Sequence, residues 1–224
     1  MKKQVLSLGG STVVPDEIDV KFLGNFKELI TKYIPENVFY FIVGGGKTCR
    51  KYQSALRALD VKSDEALDWM GIQATHLNAF LLKSLFEEQA SDEIFVDPTK
   101  LPAEGKSIYF GGGWKPGWST DYVSVMVAKD LGLKRVVNLS NIDYVYDKDP
   151  KKHDDAQAIK TASWAQFRAL VGDKWVPGAN LPFDPIACQL AEKEGISVVI
   201  VNGTNLENLE QYFKGESFEG TVIG

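Results

Sequence analysis

Short apolar runs alternate along this chain with longer segments whose apolar residues recur every three or four positions. The short runs indicate β-strands, and the longer segments indicate helices. We expect strands at residues 4–8, 38–43, 94–96, 107–110, 135–139, 197–201 and 220–223, the last of them at a sheet edge. Strands that alternate with helices are typical of βαβ units. The predicted fold is therefore α/β, a three-layer αβα sandwich with a mostly parallel central sheet.

The helical segments carry their own start and stop signals. We expect helices over residues 22–33, 52–59, 66–88 and 121–131, and from 163, 184 and 205 onward. Ser163 and Gln166 form a capping-box pattern, and Asp184 precedes a first-turn proline in a helix that Gly195 would end. The longest helix is expected to bury Leu77, Phe80, Leu81, Leu85 and Phe86. Residues 97–106 are expected to form a surface connection, and residues 175–180 an ordered turn.

Composition limits the class of protein without naming an activity. The 224 residues contain 44% hydrophobic and 25% charged residues, which suits one ordinary globular domain. Cys49 and Cys188 are far apart and form no CxxC pair, so neither a metal ribbon nor a disulfide framework is expected. The first residues offer too short an apolar run for a signal peptide, and no run reaches the length of a membrane span. We expect a cytoplasmic protein.

The formal net charge of −5 argues against a nucleic-acid-binding protein, because phosphate backbones require clustered cations. It leaves room for a small anionic ligand, since a few backbone amides and cations can hold a phosphate on an acidic protein. The expected partners are small molecules, with neither nucleic acid nor membrane among them.

Three glycine-rich segments follow predicted strands, at residues 8–12, 43–48 and 110–114. In open α/β sheets ligands collect where strands end and helices begin, and glycine lets backbone N–H groups approach an anion. The sequence Gly46-Lys47-Thr48 is not a P-loop, because Phe41 stands where the motif requires glycine. Taken alone, Lys47 and Arg50 could be solvated surface cations. Their position after three glycines favours an anionic partner.

The order and spacing of five segments resemble the amino-acid kinase superfamily, and within it the UMP kinases, more nearly the archaeal type than the bacterial one. The segments are residues 8–11, 44–50, 68–71, 111–121 and 141–150. The resemblance covers nearly the whole chain. It implies a single amino-acid kinase domain over residues 1–224, with an acceptor-nucleotide side at 1–133 and an ATP side at 134–224. It also implies a homo-oligomer, a hexamer.

The resemblance also implies roles for individual residues. The implied ATP-binding residues are Gly9, Gly10, Ser11, Gly46, Arg50, Ser140, Asn141, Tyr146 and Asp149. The implied UMP-binding residues are Gly45, Asp68, Gly113, Trp114, Lys115, Pro116, Gly117, Trp118, Ser119 and Thr120. Asp121 matches an acidic residue that organises the catalytic cations, so Lys47, Arg50 and Asp121 are the implied catalytic set. ATP and Mg²⁺ are implied, the cation being held mainly by nucleotide phosphates rather than by a protein metal site.

The chain departs from the bacterial pattern at Ser7, where that type has lysine, and Lys47 is the substitute cation that we expect. Spacing alone also allows Asp68 and Asp121 to be ordinary first-turn acids, and Trp114 and Trp118 to be core or interface residues. The expected activity is phosphoryl transfer from ATP to UMP. Two alternatives stay open: a kinase of the same superfamily with another phosphorylated or carboxylated acceptor, and a nucleotide-binding storage or regulatory protein without turnover.

Overall fold

A computed structural model describes residues 1–174 and 181–224, so the turn expected at 175–180 lies outside the described residues. The strands are β1 Lys2–Leu8, β2 Asn37–Val43, β3 Ile108–Gly111, β4 Arg135–Ser140, β5 Val145–Tyr146, β6 Ala158–Ile159, β7 Thr161–Ala162, β8 Ser197–Asn202 and β9 Thr221–Ile223. The helices are α1 Gly10–Val13, α2 Val20–Tyr33, α3 Gly46–Ala58, α4 Asp64–Phe86, α5 Thr120–Asp130, α6 Trp164–Val171, α7 Pro185–Glu194 and α8 Leu206–Lys214.

Seven strands form the central sheet in the order β3-β2-β1-β4-β8-β9-β7, and β5 and β6 form a separate hairpin. All neighbouring pairs in the sheet are parallel except β8 and β9. The strand at the chain's end was expected at a sheet edge, and this was wrong, because β9 lies between β8 and β7. The strand expected at 94–96 was also wrong. Only Phe95 forms a bridge, to Gly111, and Val96 is exposed.

Alternate residues of the buried strands face two separate cores, as the two-residue period of a strand requires. Val5, Tyr40 and Ile42 pack on one face with residues of α5, α6 and α7. Leu6 and Phe41 pack on the other face with residues of α2, α4 and α8. Helices therefore cover both faces of a mostly parallel sheet, which confirms the predicted three-layer sandwich. None of the described helices combines the length and the apolar character needed to cross a membrane.

The capping signals place helix ends as predicted. Ser163 and Gln166 form a complete capping box at the start of α6. The Asp184 carboxylate accepts a hydrogen bond from the Ile186 N–H at the start of α7, and Gly195 ends that helix in the left-handed conformation, with φ 60°. Asn205 caps α8.

The buried face of α4 differs from the prediction. Phe86 is buried and Leu81 and Leu85 pack partly against the core, but Leu77 and Phe80 are 59% and 57% exposed. The expectation failed because the buried face includes polar Thr75 and Asn78. Thr75 and Asn78 are buried because they hydrogen-bond to the backbone of the glycine loops. The spacing of apolar residues cannot reveal such hydrogen bonds.

Candidate active site

Two of the three glycine loops contact each other directly through their backbones. β1 and β2 are parallel neighbours, so the loops that follow them begin at the same edge of the sheet. A methyl group added to Gly10 would lie 2.0 Å from the backbone nitrogen of Gly46 and 2.5 Å from the carbonyl carbon of Gly44. Gly46 also has φ +56°, a conformation that side chains rarely adopt. Glycine is therefore required for this contact.

The paired loops present unused backbone donors. The N–H groups of Ser11, Gly45 and Gly46 form no hydrogen bond with any of residues 1–174 and 181–224. Gly46 is the first residue of α3, a helix of 13 residues, so the positive end of the helix dipole lies here as well. Backbone donors at a helix N-terminus are suited to binding an anion.

A cleft with a volume of about 230 Å³ lies between α3, α4 and the 113–120 loop, and we call it the α4 cleft. Its lining residues are Gly45, Cys49, Gln53, Asp68, Gly71, Ile72, Thr75, Gly113, Lys115, Gly117, Trp118, Ser119 and Thr120. Eight of the ten residues predicted for the acceptor nucleotide are among them, whereas Trp114 and Pro116 are not. The structure thus gathers residues from three separate segments around one opening.

Side chains of α4 hold both glycine loops that border the cleft. The Thr75 hydroxyl accepts a hydrogen bond from the Gly113 N–H (2.7 Å), and His76 Nε2 donates to the Gly113 carbonyl (2.8 Å). Burial lowers the pKa of His76, which agrees with a neutral ring. Asn78 donates to the carbonyls of Gly44 (2.8 Å) and Gly45 (3.1 Å). Sequence reasoning missed Thr75 and Asn78, and their only signal was a polar cluster inside an apolar helix.

Asp68 joins α4 to the 113–120 loop at the other end of the cleft. Its Oδ2 accepts a hydrogen bond from the Gly117 N–H at 2.9 Å. Gly117 has φ +84°, so the loop turns here through a conformation that favours glycine. Asp68 is therefore more than a first-turn acid, because it contacts the loop that borders the cleft.

Aromatic side chains surround Lys115 on this loop. Its ammonium lies 3.9 Å from the Trp114 ring centroid and 5.9 Å from the Trp118 centroid. Trp118 in turn lies 4.0 Å from Tyr122 of α5, centroid to centroid. Trp114 packs partly buried against the core, whereas Trp118 lines the cleft. The two tryptophans thus differ in position, and only Trp118 faces the ligand space.

Asp121 lies in a network of hydrogen bonds behind the cleft. Its Oδ1 accepts from the Ser7 hydroxyl at 3.2 Å, and its Oδ2 accepts from the Asp184 N–H at 3.1 Å. Burial, and after it the charge of Asp184, raise the pKa of Asp121 to about 7. The Ser119 hydroxyl, which lines the cleft, hydrogen-bonds to the Asp184 carboxylate. Sequence reasoning assigned Asp184 only a helix-capping role and missed its contact with Asp121.

Lys47 and Arg50 lie on the first turns of α3 but do not line the α4 cleft. The Lys47 ammonium pairs with Asp16 of the loop between α1 and α2, at 3.1 Å, and its side chain is 39% exposed. Arg50 is exposed. The structure therefore brings Lys47 beside the glycine loops, and its ammonium pairs there with Asp16, an acidic residue that sequence reasoning missed.

The residues predicted for adenosine fall into two groups. Ser140 ends β4 beside Gly9, and its carbonyl accepts a hydrogen bond from the Gly203 N–H at 2.7 Å. Tyr146 belongs to the β5–β6 hairpin, and Asp149 follows it on an exposed turn. The Lys151 N–H donates a hydrogen bond to the Asp149 carboxylate. This hydrogen bond is the main cause that lowers the pKa of Asp149. Only Ser140 is placed against the glycine loops directly, and Asn141 follows it as an exposed residue.

Comparisons with known proteins agree with this architecture. Residues 2–202 match the model of the amino acid kinase family. The chain is 32% identical to a uridylate kinase of Methanobrevibacter smithii over 99% of both chains, and 31% identical to one of Pyrococcus abyssi over 98% of both. The crystal structure of a uridylate kinase from Archaeoglobus fulgidus superposes with a TM-score of 0.84, at 33% identity and full coverage of both chains. The chain belongs to the amino acid kinase family and, within it, to the uridylate kinases.

Proposed function

We propose that this protein transfers the γ-phosphoryl group of ATP to UMP and releases UDP and ADP. The observation that carries the proposal is the contact between the two glycine loops, whose unused amides lie next to the α4 cleft. Two phosphate-bearing ligands repel each other, and fixed amide dipoles offset that repulsion where the phosphates meet. The relatives are named uridylate kinases, and that name identifies the acceptor as UMP.

We assign the two nucleotides to the two sides of the paired loops. ATP phosphates would lie along Gly9, Gly10, Ser11 and Gly46, with adenosine toward Ser140, Asn141, Tyr146 and Asp149. UMP would occupy the α4 cleft, with its phosphate near Gly45 and Gly113 and its ribose hydroxyls at Asp68. Asp68 Oδ1 remains available for this role while Oδ2 binds Gly117. Residues 1–133 would then form the acceptor side and residues 134–224 the ATP side of one domain.

The chemistry asks for positioning and positive charge rather than a general base. A nucleoside monophosphate has a second phosphate pKa of about 6, so it is already mostly a dianion at neutral pH. The described side chains include no group of three or more His, Cys, Asp or Glu residues that could hold a metal ion. Mg²⁺ would arrive with ATP and would supply charge neutralisation between the phosphates. Asp121, behind the cleft, would then help to orient the cations.

Lys47 would supply the mobile cation at the meeting point of the two nucleotides. Its ion pair with Asp16 is largely exposed, with Asp16 at 85% exposure, and exposed pairs of this kind are weak. The polyphosphate of ATP carries more charge than one carboxylate and would compete for the ammonium. Arg50, one turn further along α3, would approach the same phosphates.

A coupled assay of ADP release from Mg-ATP, with UMP, CMP, AMP, GMP and carbamate as acceptors, tests the function. Turnover that requires UMP supports the proposal. Turnover with another acceptor would assign a different kinase, and ATP binding without any turnover would assign a storage or regulatory role. Lys47→Ala should lower kcat by orders of magnitude. Lys51→Ala, on the same helix with an exposed pair to Glu17, serves as the control and should retain activity.

We also propose that the protein assembles as a homo-oligomer, a hexamer, and works in the cytoplasm. Leu77 and Phe80 support the assembly, because they place an exposed apolar strip along α4, with Trp69 on the same helix 44% exposed. Contiguous exposed apolar residues mark protein–protein contacts.

A further inference from the structure

The α4 cleft has a phosphate end and an outer end. Each end is defined by the glycine of the 113–120 loop to which a side chain of α4 hydrogen-bonds. Thr75 contacts Gly113 beside the unused amides of Gly45 and Gly46, whereas Asp68 contacts Gly117. Asp68 and Thr75 are seven residues apart on one helix, which is about 10 Å. That span is comparable with an extended mononucleotide. With its phosphate on the amides, a bound nucleotide would extend its base toward Gly117 and its neighbours Lys115 and Trp118.

Lys115 is held at this outer end by the aromatic rings around it. Its ammonium lies 3.9 Å from the Trp114 centroid and 5.9 Å from that of Trp118, within the range of a cation–π contact. Both rings are themselves fixed, Trp114 by the core and Trp118 by Tyr122. A surface lysine normally samples many rotamers, and these contacts limit that freedom. Lys115 therefore belongs to the lining of the cleft, and its ammonium is held against the Trp114 ring at the edge of that lining.

An ammonium group has three hydrogen-bond donors and no acceptor. It can bind a ring carbonyl oxygen, but it opposes an exocyclic amino group, which is also a donor. Uracil has carbonyl oxygens at positions 2 and 4, whereas cytosine has an amino group at position 4 and adenine has one at position 6. Cytosine shares the carbonyl oxygen at position 2, so an ammonium distinguishes uracil from cytosine only where it meets the base at position 4.

We propose that Lys115 is a specificity-determining residue, which donates a hydrogen bond to the carbonyl oxygen at position 4 of the acceptor base and thereby selects UMP over CMP. The inference rests on the proposed function and adds the group that reads the base. Trp114 lies outside the cleft lining. It acts as a positioning residue, because its ring holds the ammonium in place.

The test compares kcat/KM for UMP and for CMP in the full-length wild-type protein and in Lys115→Met, which keeps the apolar stem and removes the charge. A hydrogen bond to a charged group is worth enough to change the UMP/CMP ratio about tenfold or more. Lys62→Met is the matched control, because Lys62 is 82% exposed and pairs only with Asp60 among the described residues, and its ratio should not change. Trp114→Leu should lower the ratio part of the way.

The outcomes separate the two claims. A wild-type protein that prefers UMP, together with a Lys115→Met variant that keeps the same ratio, would overturn the inference and leave the proposed function standing. A wild-type protein inactive with both nucleotides would overturn both. If Lys115→Met loses turnover altogether, equilibrium binding of UMP and CMP to the variant decides. Equal affinities support the role of Lys115, and a retained preference for UMP contradicts it.

Discussion

The backbone N–H of Asp184 donates a hydrogen bond to the carboxylate of Asp121 at 3.1 Å, and so two acidic residues lie side by side behind the cleft. Asp184 is buried, and its carboxylate accepts hydrogen bonds from the Ser119 hydroxyl and the Ile186 N–H. Asp121 and Asp184 therefore connect α5, the start of α7 and Ser119 of the loop that lines the cleft. The charge of Asp184 also disfavours a second negative charge on Asp121.

The pH dependence of folding should report this pair. Burial and Asp184 raise the pKa of Asp121 from 3.8 to about 7. Between about pH 4 and pH 7 the folded protein then binds more protons than the unfolded chain, so the contribution of Asp121 to stability falls as pH rises. Asp121→Asn should remove this fall, which is at most about 4 kcal/mol. Urea unfolding of both proteins at several pH values measures it, and a pH-independent difference would contradict the assignment.

Asp184 should affect both stability and acceptor binding. Asp184→Ala removes the cap of α7 and the partner of the Ser119 hydroxyl, so we expect a loss of about 2 kcal/mol in the free energy of unfolding. Because Ser119 lines the cleft, KM for UMP should rise more than kcat falls. Asn205→Ala removes the cap of α8 and should cost stability without changing KM. Equal KM values in the two variants would limit Asp184 to a capping role.

Alanine substitutions at two glycines should have opposite effects, because Gly10 lies in the contact between the glycine loops and Gly24 does not. Gly10→Ala would place a methyl group 2.0 Å from the Gly46 nitrogen, so the loops must separate and both stability and turnover should fall. Gly24→Ala is the control, because Gly24 lies within α2 and the added methyl group would meet nothing within 4 Å beyond its chain neighbours and the nearby backbone of that helix. We expect it to stabilise the protein by about 1 kcal/mol. Thermal unfolding and the ADP-release assay measure both effects.

The ion pair between Lys47 and Asp16 should oppose ATP binding slightly. Asp16→Asn frees the ammonium and removes a negative charge near the loops that would hold the phosphates, so KM for ATP should fall about two- to fivefold. Stability should change by less than about 1 kcal/mol, since the pair is exposed. Glu17→Gln removes the neighbouring charge, which pairs with Lys51 instead, and should have a smaller effect. A higher KM in Asp16→Asn would show that Asp16 positions Lys47 productively.

The exposed strip on α4 should mediate assembly. Leu77→Glu together with Phe80→Glu places two charges at exposed apolar positions, and we expect the oligomer to dissociate or to become smaller. Light scattering coupled to size-exclusion chromatography measures the mass. Leu59→Glu, at a position 77% exposed just beyond α3, is the control and should not change it. An unchanged mass in the double variant would place the interface elsewhere.

The pattern of the sequence was sufficient to predict the fold class and the glycine loops that follow the strands. Apolar runs such as 38–43 report burial on both faces of a strand, and local signals such as Asp184-Pro185 and Gly195 report helix ends, because these preferences depend on neighbouring residues alone. Three glycine segments after strands indicated an anion site for the same reason. The order of β9 and β7 in the sheet was beyond such signals, since pairing between distant strands depends on the whole chain.

The tertiary structure alone decided which polar groups meet. Asn78 and Thr75 drew no prediction from the sequence, yet they hold backbone of segments more than thirty residues away. The tertiary structure alone also showed that the Asp184 N–H donates to Asp121, that Asp16 pairs with Lys47 and that Asp68 accepts from Gly117. Hydrophobic periodicity records how much of a side chain is buried, because burial of apolar surface is non-directional. A hydrogen bond needs a particular partner at a particular distance and angle, and only the folded chain provides it.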